Sequence, residues 1–236
     1  MDIRSVTFFC EADYGEGEHL KEFLAAARVG FHVPVQTTRL ALPPFPDWWD
    51  TIGGTAENLA SHWQGAGFDY ISLGPVQLDH DAAWIERLPE IIGAVDTLFA
   101  SVEIADLEGQ IDVGRCLAAA KLIREASKLY DNGFGNLYLA ALANCPPGSP
   151  FFPVAYHGGG SPHFAIAVES ADLAVTAIRS AGSLAAARQI LVAAIEREAA
   201  QVTAAADALS ARFGYRFSGI DFSLAPFPED EKSLAG

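Results

Sequence analysis

Short runs of β-branched and aromatic residues alternate along this chain with longer stretches of helical period, and the alternation fails at one place only. The strand-like runs are Ile3 to Cys10, Val35 to Ala41, Asp69 to Leu73, Leu98 to Ile104, Leu137 to Ala143, Phe164 to Val168 and Phe217 to Leu224. Strands separated by helices predict an α/β fold with a largely parallel sheet, open or rolled into a partial barrel and joined by right-handed crossovers. A first helix carries Leu20, Phe23, Leu24 and Ala27 on one face and stops at Gly30. A second carries Leu59, His62 and Trp63, and a third follows the cap Asp81, with Pro89 expected to break or kink it. An Ala-rich helix runs from about Val113 to Tyr130, one follows Ser170 as far as Ala181, and one from Ser183 to Phe213 is expected to bury much of one side. No repeat or low-complexity linker divides the chain, so residues 1–236 read as one α/β domain.

The exception is the stretch from Asn144 to His163, where a loop stands in the place of a helix. Pro146, Pro147, Pro150 and Pro153 fix the backbone, and Gly158, Gly159 and Gly160 open conformations closed to other residues. A thiol, Cys145, and two imidazoles, His157 and His163, therefore ride on a shaped segment. Long ordered loops inside compact domains are usually functional. Nothing in the loop length says whether the strands on either side of it run parallel or antiparallel.

Charge narrows the partners. The net charge is −15, from 30 acidic and 15 basic residues, and the cations are scattered singly, so nucleic acid and anionic membrane are disfavoured. Cys10, Cys116 and Cys145 lack Cys-x-x-Cys spacing, which argues against a disulfide framework and a zinc ribbon. With no signal-peptide pattern and no run of membrane-spanning length, the expectation is a cytoplasmic protein with a small-molecule ligand. Gly158-Gly159-Gly160 lacks the Lys-Ser/Thr of a phosphate loop, and neither Gly-x-Gly-x-x-Gly after the first strand nor Gly-x-Ser-x-Gly occurs. No cofactor is identified.

In parallel α/β folds, ligands bind at the carboxyl ends of strands. Cys145, His157, Glu169 and Asp221 are the candidate catalytic residues on that ground. Cys145 suits a thiol nucleophile or redox group, His157 an acid, base or ligand, and Glu169 and Asp221 carboxylate bases or substrate anchors. Asn144, Ser149, His163 and Ser223 are the candidate substrate-binding residues. Each has a bland alternative: Cys145 as a buried small hydrophobe, Glu169 as a helix cap, Asp221 as one end of a buried hydrogen bond. No residue is assigned to a metal. Glu11, Asp13, Glu103 and Asp106 read as solvated loop charge, and His19, His32, His62 and His80 as surface or core-edge residues.

The run Asn144-Cys145-Pro146-Pro147-Gly148-Ser149-Pro150-Phe151-Phe152-Pro153, then Tyr156-His157, Glu169-Ser170 and Gly219 to Pro226, resembles the DUF711 (UPF0210) proteins. Val35-Gln36-Thr37-Thr38-Arg39 is similar to their second-strand segment. The resemblance implies an α/β barrel of the pyruvate formate-lyase type, in which a Cys-bearing loop enters the interior and places Cys145 near the centre. It does not extend to radical chemistry, because Arg216-Phe217-Ser218-Gly219-Ile220 matches a glycyl-radical loop only loosely. Family members continue past the Ser-Leu-Ala-Pro segment, so this chain is expected to be the N-terminal portion of a longer protein, with a new helix opening at Pro228. An apolar face would then dock a C-terminal portion or a second copy, or stay exposed. Function is expected to be that of an enzyme, or part of one, acting on a small polar metabolite, against a noncatalytic binding or regulatory protein or an assembly half.

Overall fold

The computed structural model describes residues 1–15 and 17–223, so the expected end of the last strand at Leu224 and the helix expected at Pro228 lie outside the described residues. Seven strands form one sheet: β1 (Asp2–Phe9), β2 (Val35–Ala41), β3 (Tyr70–Val76), β4 (Leu98–Ala105), β5 (Leu139–Ala143), β6 (His163–Glu169) and β7 (Arg216–Ser223). Their order is β5-β4-β3-β2-β1-β6-β7. The first five are parallel and follow one another without reversal. Right-handed crossovers laid down in one direction put every helix on the same face, which curls the sheet into a half-barrel with helices outside.

The crossover helices are α1 (Glu18–Val29), α2 (Ala56–Ala66), α3 (Ala83–Ala94) and α4 (Val113–Ala126). Thr55 caps α2 by accepting from the Asn58 N–H, and Asp112 caps α4 by accepting from Arg115 N–H. Helix α3 continues through Pro89 rather than ending there, and α4 stops at Ala126, ahead of a 3₁₀ segment Asp131–Tyr138 that shortens β5 relative to the expected Leu137 start. Two further helices, α5 (Ala171–Ser180) and α6 (Leu184–Phe213), separate β6 from β7. Burial on α6 is confined to Ala187 and to Val202, Ala206, Leu209 and Phe213, so the expected buried side holds only toward its C-terminal end. Leu184, Ile190 and Val192 are exposed.

The main core lies between sheet and helices. Ile3, Val6 and Phe8 of β1, and Cys10 just past its end, face it; from Val6 onward they alternate with residues on the other side by the two-residue strand period, and an irregularity between Ile3 and Ser5 supplies the extra residue before that. Phe23 of α1 sits 5.1 Å from the Phe164 ring, 5.6 Å from Phe213 and 5.0 Å from Tyr215, tying the first crossover to β6 and to the end of α6. A carboxylate locks the lower edge: Asp69 Oδ2 accepts from Thr38 N at 2.7 Å and from Arg28 at 2.7 Å, joining α1, β2 and the start of β3.

The opposite, concave face is unusual in being lined by hydroxyls. Ser5, Thr7, Ser72 and Ser101 are all fully buried. Buried hydroxyls need partners, and residues 144–162 supply two of them. Thr7 Oγ1 donates to the Pro150 carbonyl at 3.3 Å and Ser72 Oγ donates to the Ala155 carbonyl at 2.6 Å. The His157 N–H donates to the Leu42 carbonyl at 3.0 Å. Phe152 and Ala155 complete the docking by packing on Phe9, Ala41 and Ala165. The proline-stiffened segment thus lies inside the half-barrel instead of forming a crossover helix outside it.

That placement reverses the next strand. Entering from the concave side at the carboxyl end of β1, the chain runs back down as β6, antiparallel to β1, with Phe9 opposite His163 and Asp2 opposite Glu169. Strand β7 then pairs parallel to β6, with Ala167 opposite Asp221 and Glu169 opposite Ser223.

Candidate functional site

Around the carboxyl ends of β1 and β2, the loop and β6 bring together three titratable side chains. His157 is fully buried, and its Nε2 lies 3.3 Å from Oε1 of Glu11, whose side chain is half-exposed. Neither ring nitrogen of His157 has an aligned hydrogen-bond partner among the described residues, so the Glu11 contact is an ion-pair approach off the line of a good hydrogen bond. The His163 ring lies 5.5 Å from that of His157 and stacks on Phe9 at 4.7 Å with an interplanar angle of 5°. The loop backbone is close-fitted here: a Cβ on Gly158 would lie 2.6 Å from Pro147, and Gly159, at φ 88°, brings the backbone beside Glu11.

Burial lowers the pKa of both imidazoles. For His157 the charge and close approach of the Glu11 carboxylate and the nearby Gly160 backbone oppose burial without overcoming it; for His163 the Ser161 backbone opposes it, while Arg216 and His157 add to it. Both rings are therefore neutral at neutral pH and able to take up a proton. Because the folded pKa lies below the ordinary value of 6.5, the unfolded chain binds more protons as the medium turns acidic. The stability tied to neutral imidazoles is present above about pH 6.5 and is lost as pH falls through the folded values. Melting temperature is accordingly expected to fall more steeply between pH 7 and 5 for the native chain than for the double variant H157Q/H163Q. Equal slopes would contradict the assignment.

The remaining expected residues divide into two groups. Asn144, Cys145 and Ser149 lie on the loop at the same mouth as the histidines. Asn144 adopts φ 55° and its N–H donates to the Ala105 carbonyl at 3.2 Å, while Ser149 Oγ accepts from the Phe151 N–H at 3.4 Å. Cys145 is partly buried, its Sγ meets the Ala143 carbonyl at 3.5 Å, and no imidazole among the described residues hydrogen-bonds to it. Tyr156 Oη donates to the Cys145 carbonyl at 3.1 Å, and burial, with Glu103 and Cys145 nearby, pushes the phenol up to about 12, keeping it a donor. Cys10 is buried against the helices, and desolvation raises its pKa strongly.

Glu169, Asp221 and Ser223 sit at the other end of the sheet. Since β6 runs antiparallel to β1, its carboxyl end falls at the amino end of β1, about 20 Å from His163 at ~3.3 Å per residue. Glu169 there accepts from Arg4 at 3.3 Å and from Gln36 at 3.2 Å. The shared cavity expected for Cys145, His157, Glu169 and Asp221 is therefore not formed: the reversal of β6, which β7 follows, puts the carboxyl ends of these two strands at the opposite end of the sheet from those of β1 to β5. Glu11, expected to be solvated loop charge, is the carboxylate that meets His157. Its signal was its position one residue after Cys10, at the exit of β1.

A separate open cleft of about 510 Å³ lies at the amino ends of β3 and β4, lined by Asp69, Tyr70, Asp96, Thr97 and Tyr138 among others. It is distant from the histidines along the strands. Among the described residues no group of three or more His, Cys, Asp or Glu side chains is placed to hold a metal ion. No helix of the described residues is long and apolar enough to cross a membrane.

Curled mostly parallel sheet, external helices and a proline-rich segment carrying two imidazoles over the strand tips define an α/β half-barrel protein with an internal loop. Within that class the chain belongs to the family whose model is described as "Uncharacterised ACR (DUF711)", which matches residues 1–236. It is 28% identical over 222 residues to a UPF0210 protein of Methanopyrus kandleri, covering 86% of this chain and 49% of the relative. A UPF0210 protein of Pyrobaculum islandicum is 29% identical over 228 residues, covering 89% and 49%. One of Pelotomaculum thermopropionicum is 23% identical over 225 residues, covering 87% and 49%. The chain spans about half the length of the curated relatives it matches.

Proposed function

We propose that this chain is an enzyme, or a portion of one, acting on a small polar metabolite at the mouth of the half-barrel, with His157 as the proton acceptor and Glu11 as the carboxylate that orients it. The observation that carries this reading is the buried neutral imidazole with two ring nitrogens lacking aligned partners, held beside a half-exposed carboxylate. A buried imidazole whose polar contacts are poorly aligned costs stability, and such arrangements cluster at functional sites. His163 supplies a second neutral imidazole 5.5 Å away, suited to relaying a proton or binding a polar group of the ligand. Asn144 and Ser149 add polar groups on the same loop. Glu169, Asp221 and Ser223, at the far end, have no part in this reading. The half-barrel with a loop laid inside it supports kinship with the pyruvate formate-lyase architecture, and the length of the relatives supports association with a further portion.

The test is a thermal-shift screen of small polar metabolites, repeated on E11Q and H157Q. A ligand that raises the melting temperature of the native chain, and binds at least tenfold more weakly to H157Q, is the expected result. Equal binding to all three proteins would refute the site.

A second reading, noncatalytic binding, draws on one observation: Cys145 has no base hydrogen-bonded to it among the described residues. Thiol labelling of the native protein separates the readings. Cys145 and the partly buried Cys116 should label and Cys10 should stay inert. Labelling of Cys145 well below pH 8.5, the ordinary range for a thiol, would favour covalent catalysis, and ordinary reactivity would favour binding.

A further inference from the structure

One charged side chain on the concave face belongs to none of the contacts described above. Arg39 sits in the middle of β2, with Thr7 opposite it on β1 and Tyr70 opposite it on β3. Its guanidinium lies 5.1 Å from the ring centre of Phe152 on the docked loop and 5.7 Å from that of Tyr70. Its Nε donates to Thr37 Oγ1 at 2.9 Å, and Thr37 is held in turn by donating to the Arg4 carbonyl at 2.7 Å. No other hydrogen bond and no ion pair reaches Arg39 among the described residues.

This is an odd arrangement in a chain with twice as many acids as bases. A guanidinium is planar, carries five N–H donors and is rarely covered without an acidic partner. Asp69, whose charge reaches Arg39, is bonded to Arg28 and Thr38, and Glu169 to Arg4 and Gln36. Burial, followed by the repulsion of Arg4, pushes the Arg39 pKa down to about 10, with Tyr70 and Asp69 opposing. The group stays charged at neutral pH, and no carboxylate pairs with it directly among the described residues.

We propose that Arg39 anchors a small carboxylate ion on the concave face, at a site distinct from the His157 mouth and roofed by Phe152. The Nε bond to Thr37 and the two flanking rings hold the fork in one orientation, leaving its terminal nitrogens for a bidentate partner. A singly charged carboxylate matches the one cation without a directly paired acid, whereas a phosphate dianion would leave excess negative charge in a chain already at −15. The carboxylate comes from a free ion, not from a side chain of another polypeptide. Phe152 belongs to the segment that also carries His157, so the site exists only while that segment is docked.

The experiment titrates acetate, with chloride at matched ionic strength as control, into the native chain and into R39M and R39K, following the Arg Nε–Hε resonances and the melting temperature. Met keeps an unbranched stem under the Phe152 ring. The expected result is a saturable shift of the Arg39 resonance with acetate beyond that with chloride, a rise in melting temperature absent from R39M, and binding weakened severalfold in R39K. If R39M does not fold, the resonance in the native chain, assigned by its loss in R39K, carries the test. A native chain that does not respond, or that responds as R39M does, overturns the proposal. So does a native chain whose mass in solution is halved by R39M, because the carboxylate would then belong to a second copy.

Discussion

Gly74→Ala is expected to cost several kcal/mol, a large share of the roughly 5–15 kcal/mol that holds a domain of this kind together. Gly74 has φ 79°, a backbone conformation that costs an L side chain about 1–2 kcal/mol. A Cβ there would lie 2.1 Å from the Pro43 carbonyl oxygen and 2.6 Å from its carbon, which are backbone atoms that move only with the exit of β2. Overpacking of this sort adds about 1–3 kcal/mol or more. The damage should reach the site, since the neighbouring Leu42 carbonyl accepts the His157 N–H. Chemical denaturation should show a midpoint far below that of the native chain, and a midpoint unchanged within error would contradict the close approach of β2 and β3.

Phe152→Ala is expected to cost about 3–5 kcal/mol and to free the loop from the half-barrel. The ring is nearly buried, packs 5.3 Å from Phe99 and covers Arg39, within the small cluster of Phe9, Ala41, Ala155 and Ala165. The hydrogen bonds from Thr7 and Ser72 to the loop cannot alone replace that packing, since each contributes a net ~0.5–1.5 kcal/mol. Limited proteolysis should then cut within residues 144–162 of the variant under conditions that leave the native loop whole. Equal resistance would mean that the loop is held by something other than its apolar contacts.

The order of elements was legible because it rests on periodicity and caps. Leu20, Phe23, Leu24 and Ala27 line the buried face of α1 as their spacing requires, and Gly67 and Gly214 close α2 and α6 in left-handed conformations. What the residue pattern did not carry was direction. A loop as long as residues 144–162 permits either a parallel or an antiparallel return, and the choice made at β6 moves Glu169 from one end of the sheet to the other. The inward course of the loop is what the family resemblance implies, yet the carboxylate that meets it left no such sign: Glu11 looks like any acidic residue in a turn until Gly159 and His157 are laid against it. Arg39 did leave a trace, because Thr37 and Arg39 alternate with buried Thr38 and Leu40, the two-residue pattern of a strand whose second face is polar.

The central claim is that the proline-stiffened loop buries His157 beside His163 and Glu11 inside the half-barrel. It is tested most directly by an NMR pH titration of the histidine ring resonances, assigned by H157Q and H163Q and repeated in E11Q. Both rings should titrate below the ordinary 6.5, and E11Q should lower His157 further because the Glu11 charge favours the protonated ring. A His157 that titrates at or above 6.5 and is indifferent to E11Q would place it in solvent, away from Glu11.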